Sequence, residues 1–371
     1  MTTDGPVEAF YDDKDGVVRF PGGELWPGDK YTGGLEGDLH EVAAISLSSI
    51  CRAATEADDA GAFRLASVGD GGGVSLWLAP GGQLDNPRIK HRVHLRALKD
   101  KLAIEVQVPV PFEDRTPEDV ATLDALIALA RRRGFDVDLV EDPYQSPYEL
   151  FTKLVATVPA DPSRTLGEAC DLERDLLGLL EALDGGPESP RSIRNLIESS
   201  RGEILVGLRE TEQFDAKSEI TALARDADKA EFLKDVTAMA NVPGGGVLVY
   251  GLTTSAASGA DEVVSAPGCD LTTFDALRWQ HVITDRTVPS LVGVELITDE
   301  LRPGWGFLAL YVPPSVAELG GGWYLVRSKG EAVRAYRRAS AQTIPVSAGV
   351  IHARLQRGDG SRRTLLPPGG G

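Results

Sequence analysis

The chain has 371 residues, 42% of them hydrophobic and 25% charged, with a formal net charge of −18. That length exceeds what one hydrophobic core ordinarily fills, so two domains are expected, and no window approaches the roughly 20 apolar residues of a membrane-spanning helix. The acidic, polar start MTTDGPVEAFYDDKDG does not read as a secretory signal, and the three widely spaced cysteines, Cys51, Cys170 and Cys269, suggest reduced thiols in a cytoplasmic protein with neither a disulfide framework nor a metal cluster.

The charge is uneven. Residues 1–200 hold 36 acidic and 20 basic side chains, a net −16, which leaves −2 for the remainder. An acidic whole disfavours nonspecific polyanion binding, because phosphate contact needs local positive charge. The near-neutral C-terminal half leaves room for a basic patch. The acidic half is expected to keep the chain soluble, or to meet a protein partner or compete for a basic groove.

In chain order, the first 35 residues are rich in Gly, Pro and Asp and predict short strands at most. An amphipathic helix is expected from about His40 to Asp58, with Val42, Ile45, Leu47 and Ile50 among its apolar residues. Two hairpins follow: Ala62–Val68 with Val74–Ala79, and Arg88–Leu98 with Leu102–Val110. Arg88, Lys90, Arg92, His94 and Arg96 alternate along one strand, a pattern that suits a charged edge resisting sheet-to-sheet aggregation. His91 and His94 differ in parity, so they are poor joint metal ligands.

A well-punctuated helix comes next. Thr116 is the expected N-cap and Pro117 the first helical residue, with Glu118 and Asp119 at the positive end of the dipole. Arg131, Arg132 and Arg133 close it, and Gly134 suits a left-handed cap. Phe135–Val140 reads as a strand. Residues 1–140 are therefore expected to form an α+β domain on an antiparallel sheet, and helical patterns at Tyr148–Val158, Leu166–Leu183 and Pro190–Ser200 suggest a helical connector over 141–200.

Residues 201–357 predict a second domain, α/β or α+β, around a mixed sheet, in a chain of α+β class overall. A helix near Asp228–Asn241 places Phe232, Leu233, Val236, Met239 and Ala240 on one face, and Val247–Leu252 reads as a strand buried on both faces. A further helix is expected over Leu271–Ile283 with Asp270 as N-cap. Strands follow at Val292–Thr298, Phe307–Val312, Tyr324–Arg327 and Val333–Arg337, with a last short helix near Ser347. Residues 358–371 read as a disordered tail.

Three constellations in this second domain carry possible chemistry. Asp215 and Lys217 stand two apart on an expected strand and share a face. With Glu210 they form a candidate catalytic set, Glu210 and Asp215 being candidate ligands for Mg²⁺ or Mn²⁺ and Lys217 stabilising phosphoryl charge. Glu210 and Glu212 share a parity that Asp215 does not, unless the strand bulges. The plain alternative is a surface Asp–Lys pair on an edge strand. Asn241, Gly244, Gly245 and Gly246 form a turn whose backbone N–H groups suit a phosphate nest, or simply a helix cap followed by a tight turn. It lacks the Gly-Lys-Ser/Thr of a Walker loop. Arg327, Lys329, Arg334, Arg337 and Arg338, interleaved with Tyr324 and Tyr336, suit phosphate contact and base stacking, or a solvated basic face.

Several of these segments together resemble the Schlafen-type AlbA-like domain. They are Phe214-Asp215-Ala216-Lys217, Ala240-Asn241 followed by a Gly-rich turn, an apolar strand ending Gly251-Leu252, and Tyr336-Arg337-Arg338-Ala339-Ser340. The likeness covers about residues 200–357. It implies DNA or RNA binding in a regulatory or defence-related role, with ATP binding attributed to some bacterial members and cleavage of structured RNA to some animal ones. The cutting members use three acids. Two match Glu210 and Asp215, whereas the third position is Thr253, and Glu203, Glu212 and Asp261 are candidates for it only by nearness in sequence. Nucleic-acid binding leads, a metal-dependent nuclease follows, and an ATP-binding or non-enzymatic scaffold is the third expectation.

Overall fold

The computed structural model describes residues 10–12, 17–20, 23–25, 46–59, 74–78, 93–97, 101–111, 114–142, 151–159, 161–257, 260–313, 323–327, 333–339, 342–347 and 349–350. The fold is α+β, and the chain divides into two compact units, Met1–Leu180 and Glu181–Gly371.

In the first unit, β1 (Phe10–Asp12), β2 (Val17–Phe20) and β3 (Gly23–Leu25) form a small antiparallel sheet. The helix α1 spans Leu47–Asp59; the expected start from His40 to Ile45 lies outside the described residues. A larger antiparallel sheet follows, in the order β4-β5-β6-β8-β7. Its strands are β4 (Val74–Leu78), β5 (Val93–Ala97), β6 (Lys101–Pro111), β7 (Asp136–Asp142) and β8 (Phe151–Pro159). The second expected hairpin forms as β5–β6. Strand β4 pairs with β5, and its expected partner Ala62–Val68 lies outside the described residues, as do Arg88–Arg92 of the basic stripe.

The helix α2 (Pro117–Arg132) is punctuated as its sequence demands. The Thr116 side chain accepts from Asp119 N, Asp119 answers to Thr116 N at 2.8 Å, and Gly134 takes φ +77°. The expected helix over Tyr148–Val158 is instead β8, paired on both sides by β6 and β7. Its run Thr152–Val158 is rich in β-branched residues and almost entirely buried, which suits a central strand with both faces covered. The segment assigned to a helical connector thus supplies a strand of this sheet, followed by α3 (Leu166–Gly185).

The second unit opens with α4 (Pro190–Glu198), capped by Ser189. Its main sheet runs β13-β16-β10-β9, with β15 on the far edge of β16. The strands are β9 (Phe214–Lys217), β10 (Gly246–Tyr250), β13 (Cys269–Asp270), β15 (Glu295–Arg302) and β16 (Trp305–Val312). Strands β9 and β10 are parallel and the other pairings antiparallel, so the sheet is mixed. Strands β11 (Thr253–Ala257) and β12 (Ala260–Ser265) form a separate hairpin that sequence reasoning did not anticipate. A second sheet is ordered β14-β17-β18-β19, from Thr287–Val288, Leu325–Val326, Arg334–Ala339 and Gln342–Pro345.

Side-chain alternation assigns the faces of the main sheet. Leu248, Tyr250, Leu308, Leu310 and Val312 pack with Phe232, Leu233, Val236 and Met239 of α5 (Asp226–Ala240) and with Trp279 and Ile283 of α6 (Ala276–Arg286). Each such buried side chain is worth about 1.5–3 kcal/mol. Helix α4 packs against β15, β16 and β10. With both faces covered, all five residues of β10 are buried, as its unbroken apolar run requires. Helix α6 starts later than expected because Asp275, and not Asp270, caps it; Asp270 accepts from the Thr272 amide and hydroxyl in the preceding turn.

Candidate functional site

The register of β9 decides where its charged residues point. Asp215 pairs with Leu248 and Lys217 with Tyr250, so both side chains lie on the face of the sheet that α5 covers. There they meet Asp235, on the apolar stripe of α5 between Phe232, Val236 and Met239. Lys217 Nζ lies 2.7 Å from Asp215 Oδ2 and 3.6 Å from Asp235 Oδ2. The other oxygen of Asp215 accepts from Arg338 Nη1 at 2.9 Å. Arg338 Nη2 donates to Thr211 O at 3.1 Å and Phe214 O at 3.4 Å, bridging β18 to the start of β9. Asp235 Oδ1 accepts from the Thr343 hydroxyl at 3.1 Å, which ties α5 to β19.

Glu210 precedes β9, in the segment that pairs with β12 through its amide to Asp261 O at 2.9 Å. Its Oε1 folds back to accept from Ala216 N at 3.1 Å. Burial, and then the nearby Asp215 carboxylate, push the Glu210 carboxyl up to about 7; the Ala216 amide, Arg338 and Lys217 only partly oppose them. Burial also raises Asp235, against the pull of Lys217. Lys217 is pulled down by burial, but Asp215, Asp235 and Glu210 together hold its ammonium above the ordinary value. Of this cluster only Lys217 is substantially open to solvent, its side chain 39% exposed against 2% for Arg338 and 3% for Asp215.

Glu210 and Asp215, the expected metal ligands, are thus brought together with Asp235 around Lys217. Each oxygen of Asp215 faces a cation of the protein itself, and Glu210 Oε1 accepts from Ala216 N. Among the described residues no group of three or more His, Cys, Asp or Glu side chains is arranged to hold a metal ion. Thr253 lies on β11, and the further carboxylate beside Lys217 is that of Asp235.

The glycine turn is also committed internally. Asn241 Nδ2 donates to Tyr324 O and Tyr336 O at 2.9 and 2.8 Å, and its Oδ1 accepts from Tyr324 N at 2.9 Å. It pins β17 and β18 to the end of α5 and has no capacity left for a ligand phosphate. Gly244 abuts the Gln213 side chain, which donates to Pro243 O, and Gly246 abuts Met239. Gly245 has φ +74°, and a Cβ there would meet Val312 O at 2.1 Å. These glycines permit a close chain crossing.

The basic residues divide. Arg338 is buried, so its expected contact with phosphate is corrected: strand alternation turns it inward with Tyr336, towards α5. Arg327, Arg334 and Arg337 are exposed. Arg327 N donates to Arg286 O, extending the β14–β17 ladder, and Leu325 pairs with Ala335. Alternation from that pair gives Arg327 and Arg337 the same parity, whereas Arg334, exposed at the start of β18, has that of Tyr336 and Arg338. Lys329 lies outside the described residues. The cysteines Cys51, Cys170 and Cys269 are buried and unbridged, with burial raising Cys170 to about 12 and Cys269 to about 11.

Sequence reasoning missed Asp235 and the inward course of Arg338. Both had a signal. Asp235 is a charge on an otherwise apolar helical stripe, and Arg338 shares parity with Tyr336.

No family model and no curated protein matches this chain. Among solved structures, the DIP2311 protein from Corynebacterium diphtheriae is similar at 18% identity with a TM-score of 0.25, over 36% of this chain and 25% of that one. No helix among the described residues is long and apolar enough to cross a membrane.

Proposed function

We propose that the C-terminal unit is a Schlafen AlbA-like domain that binds nucleic acid without cutting it, through Arg327, Arg334 and Arg337. The observation that carries this reading is their lack of acidic partners. In the same unit Arg201, Arg209, Arg225, Arg286 and Arg338 each pair with a carboxylate, Arg278 donates to Leu223 O and Arg302 lies over the Trp305 ring, whereas Arg327, Arg334 and Arg337 have no such side-chain partner among the described residues. From Trp323 to Arg357 the sequence holds seven Arg or Lys and one acid, Glu331. Solvated guanidinium groups left unpaired in a chain of net charge −18 make a local site for a polyanion. Arg338, Asp215 and Asn241 act in this reading as internal struts that hold β18 in place.

The test is a mobility-shift assay on the full chain with labelled DNA and RNA. Binding that is abolished in R327E/R337E and retained in a variant reversed at the paired Arg225 supports the reading. Equal binding by wild type and R327E/R337E, or none by wild type, overturns it.

A further inference from the structure

Proteins that hold single-stranded nucleic acid combine a basic track with exposed aromatic faces on which unpaired bases stack. The sequence between Trp323 and Arg338 offers Tyr324 and Tyr336 for that purpose, but the fold withdraws both. Tyr324 is buried in the core, Tyr336 packs against the same core, and the backbone carbonyls of both are held by Asn241.

The withdrawal extends to the whole unit. Residues 181–371 contain eleven Phe, Trp and Tyr residues, and all eleven fall among the described residues. Eight are buried and none is exposed. The three half-buried ones are engaged. Phe274 sets its edge against Trp279 at 5.3 Å, and Tyr336 lies on the core. Trp305 carries the Arg302 guanidinium over its ring at 5.1 Å and donates its Nε1–H to Pro267 O.

We infer that the C-terminal unit recognises the phosphodiester backbone of a duplex, independently of base sequence, and provides no aromatic platform for unpaired bases. The inference rests on the nucleic-acid-binding reading above and narrows its ligand. Exposed arginines without stacking partners gain from charge density, and a duplex presents about one phosphate charge per 1.7 Å of axis. A single strand bound here forgoes base–aromatic stacking, an effect of about fivefold or more for each base stacked.

The experiment uses the full chain and fluorescence anisotropy with four labelled probes: duplex DNA, duplex RNA of the same sequence, the matching single strand, and that strand carrying abasic sites. Each probe is repeated with R327E/R337E. The expected result is tighter binding of at least one duplex than of the single strand, sensitive to R327E/R337E, with single-strand affinity unchanged by removing bases. The two duplex arms separate DNA from RNA as the source of the phosphates. Charge-sensitive binding in which the single strand is preferred and weakens fivefold or more with abasic sites overturns the inference and leaves the binding reading intact. Binding that R327E/R337E does not alter overturns the binding reading, and the inference with it.

Discussion

Replacing Glu210 by Gln tests the buried cluster through its proton. In the folded chain the Glu210 carboxyl sits up at about 7, against an ordinary value of 4.5. Between those two pH values the folded state holds a proton that the unfolded state has released. Stability therefore falls as pH rises through this window and levels off above about 7. The full span of about 2.5 pH units corresponds to about 3 kcal/mol. The isoelectric point near 4.8 makes acidic samples prone to precipitate, so the practical range starts at pH 5.5. From there to 7 the remaining change is about 2 kcal/mol. Gln keeps the carbonyl oxygen that accepts from Ala216 N and cannot ionise. In urea titrations from pH 5.5 to 8.5, E210Q should gain about 2 kcal/mol on wild type as pH rises. Stability curves that stay parallel across the range would show Glu210 ionised throughout and refute the reasoning.

Other consequences follow from the same contacts. Arg338→Ala should cost about 3–5 kcal/mol, because it strands the buried Asp215 carboxylate, whereas Arg337→Ala, one residue away and exposed, should stay within about 0.5 kcal/mol; equal denaturation midpoints for the two would contradict the inward placement of Arg338. Asn241→Ala should cost about 1–3 kcal/mol for each backbone group it leaves unpaired at Tyr324 and Tyr336, with amide exchange in β17 and β18 as the local readout. Gly245→Ala should lower the melting temperature more than Gly186→Ala, which also has positive φ but open space around it; the opposite order would count against the close crossing at Val312.

Much of the fold was legible where local chemistry and tertiary demand agree. Thr116, Pro117 and Gly134 mark the ends of α2 because capping is a local matter. The run Val247–Tyr250 reads as a strand buried on both faces because nothing in it tolerates water. Legibility failed where a segment's identity depends on what pairs with it. Phe151–Pro159 carries an apolar run compatible with either helix or strand, and β6 and β7 on its two sides decide the matter. Asp270 and Asp275 are both chemically able to cap α6, and the turn at Thr272 takes the first.

The candidate site shows the same limit. Asp215 and Lys217 share a face as strand parity requires, but parity alone does not say which face is covered. Because α5 covers it, the pair became part of a buried network with Asp235 and Arg338. Counting arginines along β18 equates Arg337 with Arg338, and only the inward packing of Tyr336 separates them.

The salt dependence of binding tests the central claim most directly. Duplex affinity would be measured for the wild-type chain and for R327Q/R334Q/R337Q across 50–200 mM salt. Three phosphate contacts account for a slope in log affinity against log salt of about −2.7, or about 40-fold over that range. The account predicts that the wild type shows a slope steeper than the variant's by about that amount. Identical slopes for the two proteins would contradict it.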